Sequence, residues 1–141
     1  MYKKCKSCVL LGNMGEQLII NDKTVTVKKN LNCKSPNVIY LAQCQLCSKI
    51  PVVDDTYTGQ TGQPFHKRVN GHRACFTNPD DVDLVEKSAL SLHSYNEHRN
   101  NFDLNNFKFI LHDQSRPRDL NRRESRHIGE LRTNVMGLNR M

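Results

Sequence analysis

The sequence predicts an α+β domain: a small antiparallel three-stranded central sheet flanked by helices, with an N-terminal β-hairpin extension and a zinc staple. Three observations predict it. After residue 35, short β-branched and aromatic runs occur three times, with helix-period segments between the second and third and after the third. Cysteines and histidines recur at metal-ligand spacings. The apolar supply is thin, 37% hydrophobic over 141 residues with no Trp, so a core of this size leans on a staple.

The elements follow in order. Glu16–Ile20 and Thr24–Lys28 are short β-like runs separated by Asn21-Asp22-Lys23, a hairpin signal. Ser35-Pro36 opens Asn37–Cys44 (NVIYLAQC), the strongest strand in the chain. Cys47, Pro51 and Asp54-Asp55 read as a loop, and Thr56–Thr61 as a second strand ending in glycines. Pro64 suits the first position of a helix on which Phe65, Val69 and His72 share a face. Asn78-Pro79-Asp80-Asp81 breaks that helix, and Ser88–Arg99 forms the next. Phe107–His112 is the third strand. Pro117–Arg132 is the closing helix, with Leu120, Ile128 and Leu131 inward and Gly137 as a stop. Residues 1–34 thus form a cysteine-bearing extension and residues 35–141 the main unit.

Net charge is +7, which favours a polyanionic partner. No apolar run approaches the roughly 18 residues of a membrane span, and no signal peptide is visible, so a soluble, intracellular protein with no membrane partner is expected. In that setting six cysteines point to metal or thiol chemistry rather than disulfides. Cys44-x2-Cys47 can present two thiolates to one tetrahedral zinc, and His93-x4-His98 supplies the remaining pair. Five residues of helix turn through about 500°, so these imidazoles converge only if the helix end frays or tightens. The expected zinc is structural. Cys5, Cys8 and Cys33 are one thiol short of a second closed site; a fourth ligand would be Cys75 or lie upstream, and otherwise the three are free thiols.

Tyr40 and Tyr57 sit on the two adjacent strands, and both phenols can face one side. Alone they read as edge-of-core aromatics. Arg68 and His72 share a helix face, which suits a phosphodiester: a guanidinium fork for the oxygens, an imidazole to donate or shuttle a proton. Glu124 lies on the same stripe as Ile128 and Leu131, an odd place for a carboxylate unless it holds a cation.

In this order the residues resemble the GIY-YIG endonuclease family. Val38-Ile39-Tyr40 matches its first motif and Tyr57-Thr58-Gly59 its second, with Val38 standing where the family has Gly and Thr58 where it has Ile. Arg68, His72, Glu124 and Asn139 match the later positions. The cysteine pair between the tyrosines, followed by two histidines, is similar to the Cys-Cys-His-His variant of Penelope-like retroelements, as are NVIYLAQCQLC, YTGQTGQ, RESRHIGEL and GLN. The resemblance covers about residues 33–140.

It implies one-metal hydrolysis of DNA. Glu124 would hold Mg²⁺ or Mn²⁺ and Tyr40 would act as general base, lowered toward neutrality by Arg68. Arg68 would also stabilise the transition state, His72 orient or relay protons, and Tyr57 and Asn139 organise the site. Lys67 and Arg73 would touch flanking phosphates, while His66, His112 and His127 read as surface or packing residues. The implied setting is a nuclear, monomeric or weakly dimeric nicking module, acting with a reverse transcriptase and its RNA. The alternative is a non-catalytic zinc-stabilised nucleic-acid-binding module, which needs no Glu124.

Overall fold

The computed structural model describes residues 10–11, 17–20, 23–26, 31–47, 56–131 and 138–139. Its elements are β1 (Gln17–Ile20), β2 (Lys23–Thr26), β3 (Val38–Cys44), β4 (Thr56–Thr61), α1 (Phe65–Ala74), α2 (Val82–Val85), α3 (Ala89–Glu97), β5 (Phe107–Gln114) and α4 (Leu120–Leu131). The expected cysteine cluster at Cys5 and Cys8 lies outside the described residues. Among the described residues no helix is long and apolar enough to cross a membrane.

The fold is α+β. A three-stranded antiparallel sheet in the order β4-β3-β5 forms its centre, and β1 and β2 pair separately as a two-stranded antiparallel sheet. Every residue of β3 is buried, which explains why its sequence is apolar at every position but Gln43 rather than alternating. Val38, Tyr40, Ala42 and Cys44 pack with Phe65 and Val69 of α1, Leu90 of α3, and Phe107, Phe109 and Leu111 of β5. Leu41, on the other face, packs with Ile110 of β5, Leu131 of α4 and Val25. Helices therefore cover both sides of the sheet.

Two boundaries and one helix face differ from expectation, each for a physical reason. Pro64 is the N-cap of α1, with extended ψ of 138°, rather than its first residue. The free N–H groups behind it are taken by the 32–35 turn: Phe65 N–H donates to Ser35 O (3.1 Å) and His66 N–H to Cys33 O (2.7 Å). β5 runs two residues past His112, because a bulge between Ile39 and Tyr40 lets Asp113 and Gln114 keep pairing with Ile39 and Val38. On α4 the inward residues are Leu120, His127 and Leu131, with Ile128 half-buried. His127 can replace an apolar residue there because its Nε2–H donates to Asp113 Oδ2 at 2.9 Å.

That contact also orients α4. Burial pushes the Asp113 carboxyl up, but hydrogen bonds from His127, the Gln114 N–H and Arg123 outweigh it and hold the group below its ordinary range. The Asp113–His127–Arg123 cluster pins the middle of α4 to β5, and Glu124 lies in the pinned turn.

Candidate active site and metal centre

Tyr40 stands at the middle of β3, fully buried, and its ring is enclosed by Phe65 (5.5 Å between centroids), Phe109 (6.0 Å) and His72 (5.9 Å). Opposite it on β4 is Gly59. A Cβ at Gly59 would overlap Tyr40 Cζ and its oxygen and come within 2.7 Å of Tyr57 Cε2. The glycine of the second motif is therefore the floor on which both phenols rest. Gly59→Ala is expected to lower stability by about 1–3 kcal/mol through overpacking. Thermal unfolding would read this as a drop of several degrees, and an unchanged melting temperature would show that the tyrosines do not depend on that floor.

Tyr57 lies 6.2 Å from Tyr40, centroid to centroid, and 6.1 Å from His72. Around the Tyr40 oxygen the polar groups converge. His72 Nε2 is 2.7 Å away, and Arg68 Nε–H donates to it at 3.2 Å. On its other side, His72 Nδ1 is 2.8 Å from Ser88 Oγ. Tyr40, Tyr57, Arg68 and His72, 32 residues apart in sequence from first to last, thus form one cluster.

The electrostatics correct one expectation. Burial pushes the Tyr40 hydroxyl well above the ordinary phenol range, and Tyr57 adds to it; Arg68 opposes both but does not win. Tyr57 is raised as well, first by burial. In the protein alone neither phenol is ionised near neutral pH, so Arg68 does not by itself make Tyr40 a base. His72 is pushed down to about 3, by burial first and the Arg68 charge second, and is a neutral imidazole at neutral pH.

A cleft of about 340 Å³ opens beside this cluster, lined by Tyr57, Glu86, Lys87, Ala89, Glu124, Ile128 and Asn139. Tyr57 reaches it, while Tyr40 lies behind. Glu124 is half-buried and accepts a long hydrogen bond from Gln60 Nε2 (3.4 Å). Burial raises its carboxyl despite Gln60 and Arg68. Its negative charge is thus under-compensated by the protein, which suits a cation. Asn139 does not point at the phenols. Its amide clasps the backbone of Thr58, with Thr58 N–H donating to Oδ1 (2.7 Å) and Nδ2–H donating to Thr58 O (2.8 Å). It holds β4, and through β4 the position of Tyr57.

Of the two residues expected to touch flanking phosphates, Lys67 is exposed on α1. Arg73 instead has Nε and Nη2 buried without a hydrogen-bond partner, so its guanidinium is turned inward. Ser88 is a site residue that sequence reading missed. Its serine-before-helix pattern signals an N-cap, which it is, accepting from Leu90 N–H; nothing local signals that it also meets His72, 16 residues away.

The second centre lies at the far end of α3. Ligand atoms of Cys44, Cys47, His93 and His98 all fall within 4.8 Å of one another. Cys47 Sγ is 3.4 Å from His93 Nε2 and 3.1 Å from His98 Nε2. A tetrahedral zinc with ordinary Zn–S and Zn–N lengths has ligand–ligand edges of about 3.3–3.8 Å. The residues therefore fit structural zinc. The imidazoles converge because α3 stops at Glu97 and His98 leaves the helix with φ −138° and ψ 45°. Burial first, and His98 second, hold His93 below its ordinary range, leaving the neutral ring a metal requires. Zinc there would join the end of β3 to the end of α3. Of the expected second site, Cys33 is buried against the same core, and Cys75, the candidate fourth ligand, is buried at the C-cap of α1.

Comparison with family models, with curated proteins and with solved structures returned no match.

Proposed function

We propose that this chain is a metal-dependent DNA endonuclease domain of the GIY-YIG type, from the zinc-bearing branch resembling the endonucleases of Penelope-like retroelements. One observation carries the reading. Tyr40 of β3 is hydrogen-bonded to Arg68 and His72 of α1, and Tyr57 of β4 packs against Tyr40 and His72, beside a cleft walled by Tyr57, Glu124 of α4 and Asn139. A binding surface has no use for a buried tyrosine–histidine pair joined by a half-buried arginine next to a half-buried carboxylate.

The roles follow from where each group sits. Arg68 supplies positive charge to the scissile phosphate and to the phenol oxygens. The tyrosine pair handles the proton of the attacking water, with Tyr57 at the cleft wall and Tyr40 behind it. As the water oxygen bonds to phosphorus, its proton passes to the pair in phenolate form, and the P–O bond to the leaving oxygen breaks with its electron pair. Glu124 would hold Mg²⁺ or Mn²⁺, which when bound supplies the charge that favours phenolate at neutral pH and neutralises the phosphate. Asn139 keeps Tyr57 in register. The expected product is a nick in target DNA, made in the nucleus to prime reverse transcription by a partner enzyme on its RNA. The net charge of +7 suits the DNA, and also suits the rival reading of a non-catalytic binding module.

Supercoiled plasmid incubated with the protein and Mg²⁺ or Mn²⁺ tests the reading. Wild type is expected to yield nicked circles, and Tyr40→Phe to slow this about a hundredfold or more while still binding DNA. Equal rates for the two proteins would remove Tyr40 from the chemistry.

A further inference from the structure

We propose that Ser88 is a positioning residue that fixes His72 in the Nε2–H tautomer, making His72 a hydrogen-bond donor to Tyr40 rather than a base. The catalytic meaning of this rests on the nuclease reading; the hydrogen-bond argument does not.

The Tyr40 hydroxyl, the His72 imidazole and the Ser88 hydroxyl stand in a row joined by two contacts, of 2.7 and 2.8 Å. Burial keeps His72 neutral, so the three groups carry one hydrogen each. Three hydrogens cannot all lie in two contacts, and one must leave the row at an end. At the Ser88 end there is no outlet among the described residues. Its Oγ already accepts Leu90 N–H at 3.2 Å, the residue is 4% exposed, and His72 Nδ1 is the acceptor within reach of its hydrogen. At the Tyr40 end an outlet exists, since Tyr57 packs beside Tyr40, 6.2 Å between ring centroids, and lines the open cleft. A buried hydroxyl hydrogen without an acceptor costs about 1–3 kcal/mol, enough to decide between two otherwise similar tautomers.

The row therefore runs one way. Ser88 O–H donates to His72 Nδ1, His72 Nε2–H donates to Tyr40, and Tyr40 O–H donates toward Tyr57 and the cleft. The Tyr40 oxygen then receives two N–H donors, one from His72 and one from Arg68. The titratable and charged groups acting on it are Tyr57, Arg68 and Glu124, together with His72. Two donors on one phenol oxygen stabilise negative charge there, which is what the pair needs when it gives up a proton to become the acceptor for water. The N-cap of α3 thus sets the polarity of a proton-handling chain whose other end faces substrate.

The test is nitrogen-15 NMR of histidine-labelled protein, with the His72 signals assigned through His72→Gln. Wild type is expected to carry its imidazole proton on Nε2. Ser88→Thr keeps a hydroxyl and is expected to keep both the tautomer and the nicking rate. Ser88→Gly removes the hydroxyl at a position where glycine caps a helix nearly as well. It is expected to populate both tautomers and to nick about tenfold more slowly, with zinc content unchanged. A wild-type proton on Nδ1, or a Ser88→Gly protein with the wild-type tautomer, would overturn the proposal. Should Ser88→Gly not fold, the wild-type and Ser88→Thr spectra still decide it. Failure of wild type to nick any plasmid would sink the nuclease reading alone, since the tautomer is read without activity.

Discussion

Glu124→Ala is expected to lower plasmid nicking by about a thousandfold or more, the scale of losing several kcal/mol of charge stabilisation in the transition state. Little else should change. Glu124 makes one long side-chain hydrogen bond, to Gln60, and lies on the cleft rather than in either hydrophobic cluster. Its carboxyl is already raised by burial, so removing it relieves a mild electrostatic cost rather than creating one. Melting temperature, zinc content and DNA affinity in the absence of divalent metal should stay near wild type. A variant that nicks as fast as wild type would end the endonuclease reading and leave the binding module standing. Glu124→Gln separates charge from shape: it should keep the contact with Gln60 and still be inactive.

Removing zinc should be more drastic for the fold. Structural zinc contributes on the order of 10 kcal/mol of apparent binding energy, comparable to the whole stability of a typical domain. Here the centre would tie the end of the fully buried strand β3 to α3. A strong chelator, or Cys47→Ser, is expected to abolish cooperative unfolding and native circular dichroism, with Mg²⁺ failing to restore them and Zn²⁺ succeeding. Metal-free protein with an unchanged melting curve would show that Cys44, Cys47, His93 and His98 only happen to cluster. An assay returning two zinc ions per chain would assign the N-terminal cysteines as a second centre.

The strands were readable because their sequences report their surroundings. Val38–Ala42 is apolar on both faces and lies in the central strand; Thr56–Thr61 matches β4 residue for residue. The metal centre was readable because ligand chemistry restricts which residues can serve and at what spacing. Residue identity could also suggest Tyr40, Tyr57, Arg68 and His72, but not how burial would weigh against Arg68 at the Tyr40 oxygen, since burial is a property of the whole packed core. Local pattern failed where a partner arrives from far along the chain. The Asp113 carboxylate is met by His127 and Arg123 of α4. Ser88 belongs to the same class: its cap is local, its contact with His72 is not.

The clasp between Asn139 and Thr58 has a further consequence. A three-stranded sheet has two outer margins whose unpaired peptide groups invite a second molecule to add a strand. On the β4 margin, Leu138 N–H donates to Thr56 O, and the Asn139 amide, shaped like a peptide bond, fills both groups of Thr58. On the β5 margin, Leu11 bridges to Phe109. Part of each margin is thus covered by a segment remote in sequence, at Thr56 and Thr58 on β4 and at Phe109 on β5. The residue that keeps Tyr57 in register is at the same time a guard against intermolecular sheet growth, so a change at Asn139 would be felt as loss of solubility as well as loss of cutting.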